Sequence, residues 1–299
     1  MLTNLLTGSL EQGLAYALMA LGVYLTFRVL NFPDLTVDGS FPLGAAVTAR
    51  LILAGMQPPL AMGAALILGI GAGLITGFLH TRLKIAGLLA GIITMTALYS
   101  INLRIMGRSN LALLRQPTIF SQVQSWGLTR TVATLSLLIV VIVLAKILLD
   151  YFLHTEIGLA LRATGSNPGM IKSLGVAPQK MTILGLGLAN GLAALSGSLV
   201  AQYQGFADIG MGIGMIIVGL ASVIIGESIV RRKKVIPATA GVVLGSIVYR
   251  FLIALALRLG FSPTDLKIVT ALLVIIPLAR PGPGWFKIRS RKGVPRCSA

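Results

Sequence analysis

Charge is scarce in this chain, and acid especially so: 11% of its 299 residues are charged, and Asp and Glu total 8 against 25 Lys and Arg. A water-soluble surface needs far more. The single cysteine, Cys297, excludes an internal disulfide and offers no metal-ligand spacing. The two histidines, His80 and His154, stand at the ends of apolar runs, where interfacial anchoring suits them better than metal binding. No GxxxxGK(S/T) phosphate loop, HExxH or CxxC occurs. The chain thus carries neither an ATPase motif nor the convergent acid, base or metal set of a membrane enzyme.

What is present is hydrocarbon. Hydrophobic residues make up 56% of the chain and the mean hydropathy is +0.91, which places it in a bilayer. The run Leu135 to Leu149, whose only charge is Lys146, lacks the alternation of a membrane β-barrel strand, so the fold class is all-α. Nine apolar segments are legible, near 10–29, 39–55, 59–79, 85–106, 129–150, 179–203, 211–230, 235–257 and 265–279. The second is weak: Gly39, Pro42 and Gly44 favour a broken or re-entrant element sheltered by protein. The expectation is a polytopic transmembrane helical bundle of about 8–9 membrane segments over residues 1–280, followed by a basic cytoplasmic tail, 281–299. No positive n-region precedes the first span, which is expected to stay in the mature protein.

A net charge of +17 and a pI near 11.0 suggest nucleic acid only if a basic soluble face exists, and here the Lys and Arg lie between spans. With the loop 151–178 cytoplasmic and all nine segments crossing, 17 of the 25 basic residues fall inside, which places the N-terminus outside; if the second segment only dips in, the N-terminus faces the cytoplasm. In the longest outer loop, 107–128, Leu111, Leu114, Ile119 and Val123 have the spacing of an interfacial helix, lying on the membrane or meeting an external partner. Gly69, Gly71 and Gly73 lie mid-span, where they serve close helix packing. Asn190 and Ser196, set among small residues, read the same way.

The most informative loop is 157–176, IGLALRATGSNPGMIKSLGV. Asn167 can cap a helix beginning at Pro168, and Gly175 can end it. Such a short helix, held between two spans, either is an ordinary connection or transmits force when a partner grips it. Together with IIVGLASVIIGESI and the closing helix pair, this loop resembles the permeases of branched-chain amino acid and ribose ABC importers. Farther upstream, FRVLNFPDLTVDGSFPLGAAV is similar to a less characterised branch of that superfamily, associated with amino acids, including aromatic ones.

The resemblance implies that Arg162, Ala163, Thr164, Gly165, Asn167, Pro168 and Lys172 form a coupling helix docking on an ATP-binding subunit. It implies further a bacterial inner-membrane importer built with a cytosolic ATPase dimer, an external substrate-binding protein and a second permease copy. ATP would be bound by the partner, with no cofactor in this chain. One departure stands out: Gly226, Glu227 and Ser228, then Arg231 to Lys234, replace the glycine pair of ribose-type permeases. Glu227 then reads as a structural ion pair with the adjacent basic run or as a gate.

Polar residues inside spans are candidates for the translocation path. Thr94 lies with Met95, Tyr99 and Asn102, and the last three share a helical face. They either line a pore or seal helix contacts. Asp34 and Asp38 read as cap or turn chemistry at a cytoplasmic bend, with a gate or docking role for Asp38 as the alternative. The rival to an ATP-driven permease is an ion-coupled secondary transporter, which needs mid-span carboxylates, whereas the acids here cluster at loops and ends.

Overall fold

Backbone polar groups in hydrocarbon find no water, so runs this apolar satisfy their hydrogen bonds internally as helices. The computed structural model describes residues 2–114, 116–125, 127, 129–230, 235–262 and 266–279, and they form twelve α-helices with one small two-stranded ribbon. The first, α1 (Leu2–Tyr24), continues into a π-helical turn, Leu25–Val29. Then come α2 (Val37–Leu53), α3 (Pro58–Thr81), α4 (Gly87–Met106), β1 (Asn110–Ala112), α5 (Ile119–Gln124) and α6 (Arg130–His154). Two short helices, α7 (Glu156–Ser166) and α8 (Pro168–Ser173), lead to α9 (Pro178–Gln204), β2 (Phe206–Asp208) and a 3-10 turn, Ile209–Gly212. The last three are α10 (Met215–Ile229), α11 (Val235–Arg258) and α12 (Leu266–Ala279).

Seven helical stretches among the described residues are long and apolar enough to cross a membrane. The helix α2, with 17 residues, and α12, with 14, fall short of that length. The basic run Arg231 to Lys234 and the tail 281–299, with Cys297, lie outside the described residues.

The bundle is organised around α9. Small residues let three helices approach it closely, which in a membrane replaces the missing hydrophobic drive between helices. On α1, Ala15 accepts a hydrogen bond from Ser196 at 2.7 Å, while a Cβ on Gly22 would meet the carbonyl of Ala189 at 2.5 Å, so α1 runs antiparallel to α9. On α2, Ser40 pairs with Asn190 and Thr48 with Ser198, each at 2.7 Å, so α2 runs parallel to it. On α3, Gly69 lies beside Asn190 and Gly77 beside Ile183, the antiparallel order again. Gly69 and Gly73 thus meet α9 as expected, but Gly71 faces open space. Farther out, α10 and α11 pack through Gly226, Gly241 and Gly245, and α11 meets α1 where Ser246 donates to Gly13.

Two expectations need correction. The segment 39–55 is not broken: α2 is continuous through Pro42, and it is sheltered by protein as expected, being among the most buried elements. The break falls before it, at 30–36. Pro42 frees the carbonyl of Asp38, and Gly212 lies directly against both, with no side chain to clash. The outer loop is not one interfacial helix either. Residues Asn110–Ala112 pair antiparallel with Phe206–Asp208, burying Leu111 to 3% exposure, and only Ile119–Gln124 is helical. Gly107, at φ +72°, ends α4, and the spacing of Leu111 and Leu114 suits a strand followed by a turn as well as a helix.

The glycine contacts predict a contrast. A Cβ on Gly44 would lie 1.8 Å from the carbonyl of Ala194, whereas one on Gly63 would meet nothing within 4 Å. Gly44→Val is expected to lower the melting transition of the detergent-purified chain, at a cost of about 3 kcal/mol or more for overpacking, and Gly63→Ala to leave it in place. Equal melting curves would dismiss α9 as the close-packed axis.

Candidate functional site

The loop 157–176 folds as two helices with different tasks. Thr155 caps α7, and Leu161 and Thr164 on one side of it are buried, with Arg162 and Ala163 half-buried. Gly165 seats this helix on the membrane domain: a Cβ there would stand 1.9 Å from the carbonyl of Val29. The contact requires glycine because the π-helical turn of α1 lies directly against it. The shorter helix α8 begins at Pro168, and the Asn167 side chain accepts from the Met170 N–H at 3.1 Å. Gly175, at φ +82°, follows it. Asn167, Pro168 and Lys172 are exposed, while Ile171 anchors the helix to the bundle. Arg162 to Gly165 therefore belong to the supporting helix, and only Asn167, Pro168 and Lys172 to the exposed one.

The candidate path residues on α4 do not form one stripe. Thr94 and Asn102 are buried with Leu98 toward α2; Asn102 is fully buried and donates to the Gly39 carbonyl at 3.1 Å. Met95 is half-buried beside Gly39. Tyr99 faces outward at 52% exposure. The i, i+4, i+7 spacing spreads across a wide arc, and the packed edge of that arc runs through 94, 98 and 102.

The carboxylates sit deeper than their loop positions suggest. Asp34 is at 2% exposure; it accepts the Thr36 N–H at 2.9 Å and the Asn190 side-chain amide at 2.7 Å. Asn190 is near the middle of α9, so this is not a bend at the cytoplasmic rim but an interruption inside the bundle. Turn chemistry is present, at another depth. Asp38, in the first turn of α2, accepts the backbone N–H groups of Gly214 at 3.0 Å and Ile216 at 2.7 Å. It thereby caps α10 across the break, and its negative charge faces two helix N-termini. Asp34, Asp38 and Asp150 thus lie in a loop or at helix ends, as expected, but Asp34 and Asp150 are buried there.

Glu227 forms an ion pair with Arg28 of α1, bidentate through the guanidinium. The partner comes from 199 positions away, and nothing local in the sequence announces it. Nearby, Asp150 joins Lys146 on its own helix to Thr239 of α11. His80 meets the Ile85 carbonyl and stacks edge-on with Phe32, and His154 meets the Asp150 carbonyl. No three His, Cys, Asp or Glu side chains come together among the described residues as a metal site would require.

Such a molecule is a multi-pass membrane transport subunit, with an interior break between spans and a capped helix exposed at its basic end. A family defined as "Branched-chain amino acid transport system / permease component" matches residues 5–278, and the chain belongs to it. It is therefore the permease component of an ABC-type transport system in the bacterial plasma membrane and not itself an enzyme. It is 44% identical over 270 residues to a tyrosine transport system permease protein of Clostridioides difficile, covering 90% of this chain and 89% of that one. A ribose import permease protein of Escherichia coli is 25% identical over 278 residues, covering 91% and 84%. An autoinducer 2 import system permease protein of Salmonella typhimurium is 29% identical over 216 residues, covering 70% and 58%.

The Arg28–Glu227 pair generates a test. Glu227→Gln removes the carboxylate charge that faces the guanidinium and should cost about 1.5–3 kcal/mol, the range for hydrogen bonds to charged groups. Arg28→Glu and Glu227→Arg should each lower the melting transition, and the two combined should restore it in part, the expected double-mutant result. Additive losses would show that the two residues act independently.

Proposed function

We propose that this permease imports an amino acid, with aromatic amino acids foremost, and that ATP hydrolysed by a separate cytosolic ATPase dimer drives it through α8. The observation that carries the reading is the pairing of 44% identity to a tyrosine transport permease with an exposed, capped helix rigidly joined to the interior break. An external binding protein delivers the solute, and a second copy of the permease completes the path.

The geometry supports a mechanical route. ATP binding closes the ATPase dimer and displaces α8. Because α7 is seated on Val29 through Gly165, the displacement reaches the π-helical turn and the segment 30–36 without an intervening loop. That segment carries Asp34, and Asp38 lies just beyond it, so α2 and α10 shift together at their facing N-termini. ATP changes the balance of inward- and outward-facing states only through its different affinity for each. In this reading Asp38 is the hinge of the gate and Glu227 the tie that holds α10 to α1. Asn102 and Thr94 support the path from behind, and Tyr99 faces outward toward the second copy or lipid.

Replacing Asn167 and Pro168 together by Ala removes the cap of α8, and Gly165→Arg unseats α7. Both variants are expected to insert in the membrane and yet to lose stimulation of the ATPase by the loaded binding protein, measured on the reconstituted complex. Wild-type stimulation in both would remove α8 from the mechanism.

A further inference from the structure

We propose that Arg250, in the middle of the membrane domain, is a carboxylate-binding station on the transport route. The proposal deepens the amino-acid reading above and rests on it.

Arg250 belongs to α11, within VVLGSIVYRFLIALAL. Where α11 crosses α1, a Cβ on Gly13 would meet the Cα of Ile247 at 2.6 Å. Ile247 lies near the middle of α11, about 17 Å from either end at 1.5 Å per residue. The helix α10 runs with α1 (Gly219 beside Val23, Glu227 beside Arg28) and against α11 (Gly226 beside Gly241, Ser222 beside Gly245), so α11 is antiparallel to α1. Tyr16 is three residues beyond the crossing toward the basic end, and Arg250 three toward the opposite end. Yet the guanidinium carbon lies 3.6 Å from the centre of the Tyr16 ring. The side chain therefore reaches inward, toward the bilayer middle. An arginine serving a lipid phosphate extends the other way, toward the headgroups.

The guanidinium is held but not satisfied. Tyr16, at 5% exposure, covers one face and itself stacks on the fully buried Phe41 of α2 at 5.6 Å. The Arg250 Nε is buried and has no hydrogen-bond partner. Among the described residues, carboxylates that could neutralise it are engaged elsewhere: Glu11 with Tyr203, Asp38 with the start of α10, Asp150 with Lys146, and Glu227 with Arg28. An arginine within a span with no acid paired to it is expensive, and five N–H donors in a planar fork match a carboxylate. An aromatic platform fixes the plane of that fork in advance, at low cost on binding. The residue as a whole is half-buried, although its Nε is not exposed. A solute carboxylate reaching the fork would supply the acceptor that Nε lacks together with a counter-charge. A substrate's carboxylate would bind here while its side chain lies elsewhere on the route, so Arg250 selects for acids without choosing among amino acids.

The test has two arms. In cells carrying the full transporter, uptake of radiolabelled L-tyrosine is compared for wild type, Arg250→Lys and Arg250→Met. With the purified full chain in phosphatidylcholine nanodiscs, saturation-transfer NMR compares L-tyrosine with tyramine, which lacks the carboxylate. We expect Arg250→Met to insert and melt as the wild type does, to lose the L-tyrosine signal, and to lower uptake by about tenfold or more, as loss of a charge-assisted contact predicts. Arg250→Lys should keep part of both, and tyramine should give no signal. Equal L-tyrosine binding and uptake in wild type and Arg250→Met overturns the proposal alone; a wild-type complex that carries no amino acid overturns the amino-acid reading and takes this one with it. An anionic lipid that co-purifies with the wild type but not with Arg250→Met assigns the guanidinium to a lipid and also overturns the proposal. So does an Arg250→Met that fails to fold while Arg250→Lys folds and binds tyramine as well as L-tyrosine.

Discussion

A backbone that leaves the helix inside a bilayer must have every freed N–H and C=O satisfied by protein, and this chain leaves it twice at nearly the same place. Between the π-helical turn and α2, residues 30–36 run extended, and between β2 and α10 the chain returns through a 3-10 turn. Asp38 closes both interruptions: it sits in the first turn of α2 and accepts from Gly214 and Ile216 at the start of α10. Asp34 stabilises the turn into α2 and is itself held by Asn190 of α9, which also accepts from Ser40. Two carboxylates thus support two helix N-termini, where negative charge is favourable. Removing either partner exposes backbone donors that neither lipid nor water can reach.

The small-residue surface of α9 follows from the same requirement. The interior hydrogen bonds are 2.7 Å long and run from helix to helix, so the backbones must come close enough for short side chains to span them. Glycine at 44, 73 and 197 allows that approach. Interfaces of this kind favour sliding and rocking of whole helices over local rearrangement, because a contact without side-chain bulk has few alternative packings. Gly165 extends the arrangement to the exterior, since α7 rests on the π-helical turn that precedes the break.

How much of this could be read from the sequence depends on range. The cap at Asn167 and the helix after it were legible because cap, proline and glycine lie within nine residues and act through local backbone geometry. The family and the helical class were legible as well, since apolar length and motif order carry them, whereas seven helical stretches among the described residues, not eight or nine, have the length and apolarity to cross. Glu227 was read as an ion pair, but adjacency suggested the run at 231–234, and its partner Arg28 emerges only from the folded contact. Asp34 was placed at the rim because Pro33 and Gly39 mark a bend, and a bend says nothing about depth. Tyr99 fell on the predicted face yet points outward, since a span in a bundle has more than one polar-tolerant side. Arg250 was passed over as one of eight charges assigned to the far side. Its signal was there, a lone arginine amid sixteen otherwise uncharged residues.

The disposition of the interior carboxylates also bears on what drives transport. A coupling ion requires an acid that exchanges partners as the protein cycles, so that binding the ion changes which conformation is favoured. In this structure Asp34 and Asp38 each accept hydrogen bonds that include backbone N–H groups, while Asp150 and Glu227 are bound to basic side chains. Each acid is a fixed element of the scaffold. Protonating one would weaken a cap or a tie that holds helices together. At each of these four acids, admitting a driving proton or sodium ion would therefore loosen a helix contact. Energy supplied mechanically, through a helix seated on the turn before the break, makes no such demand.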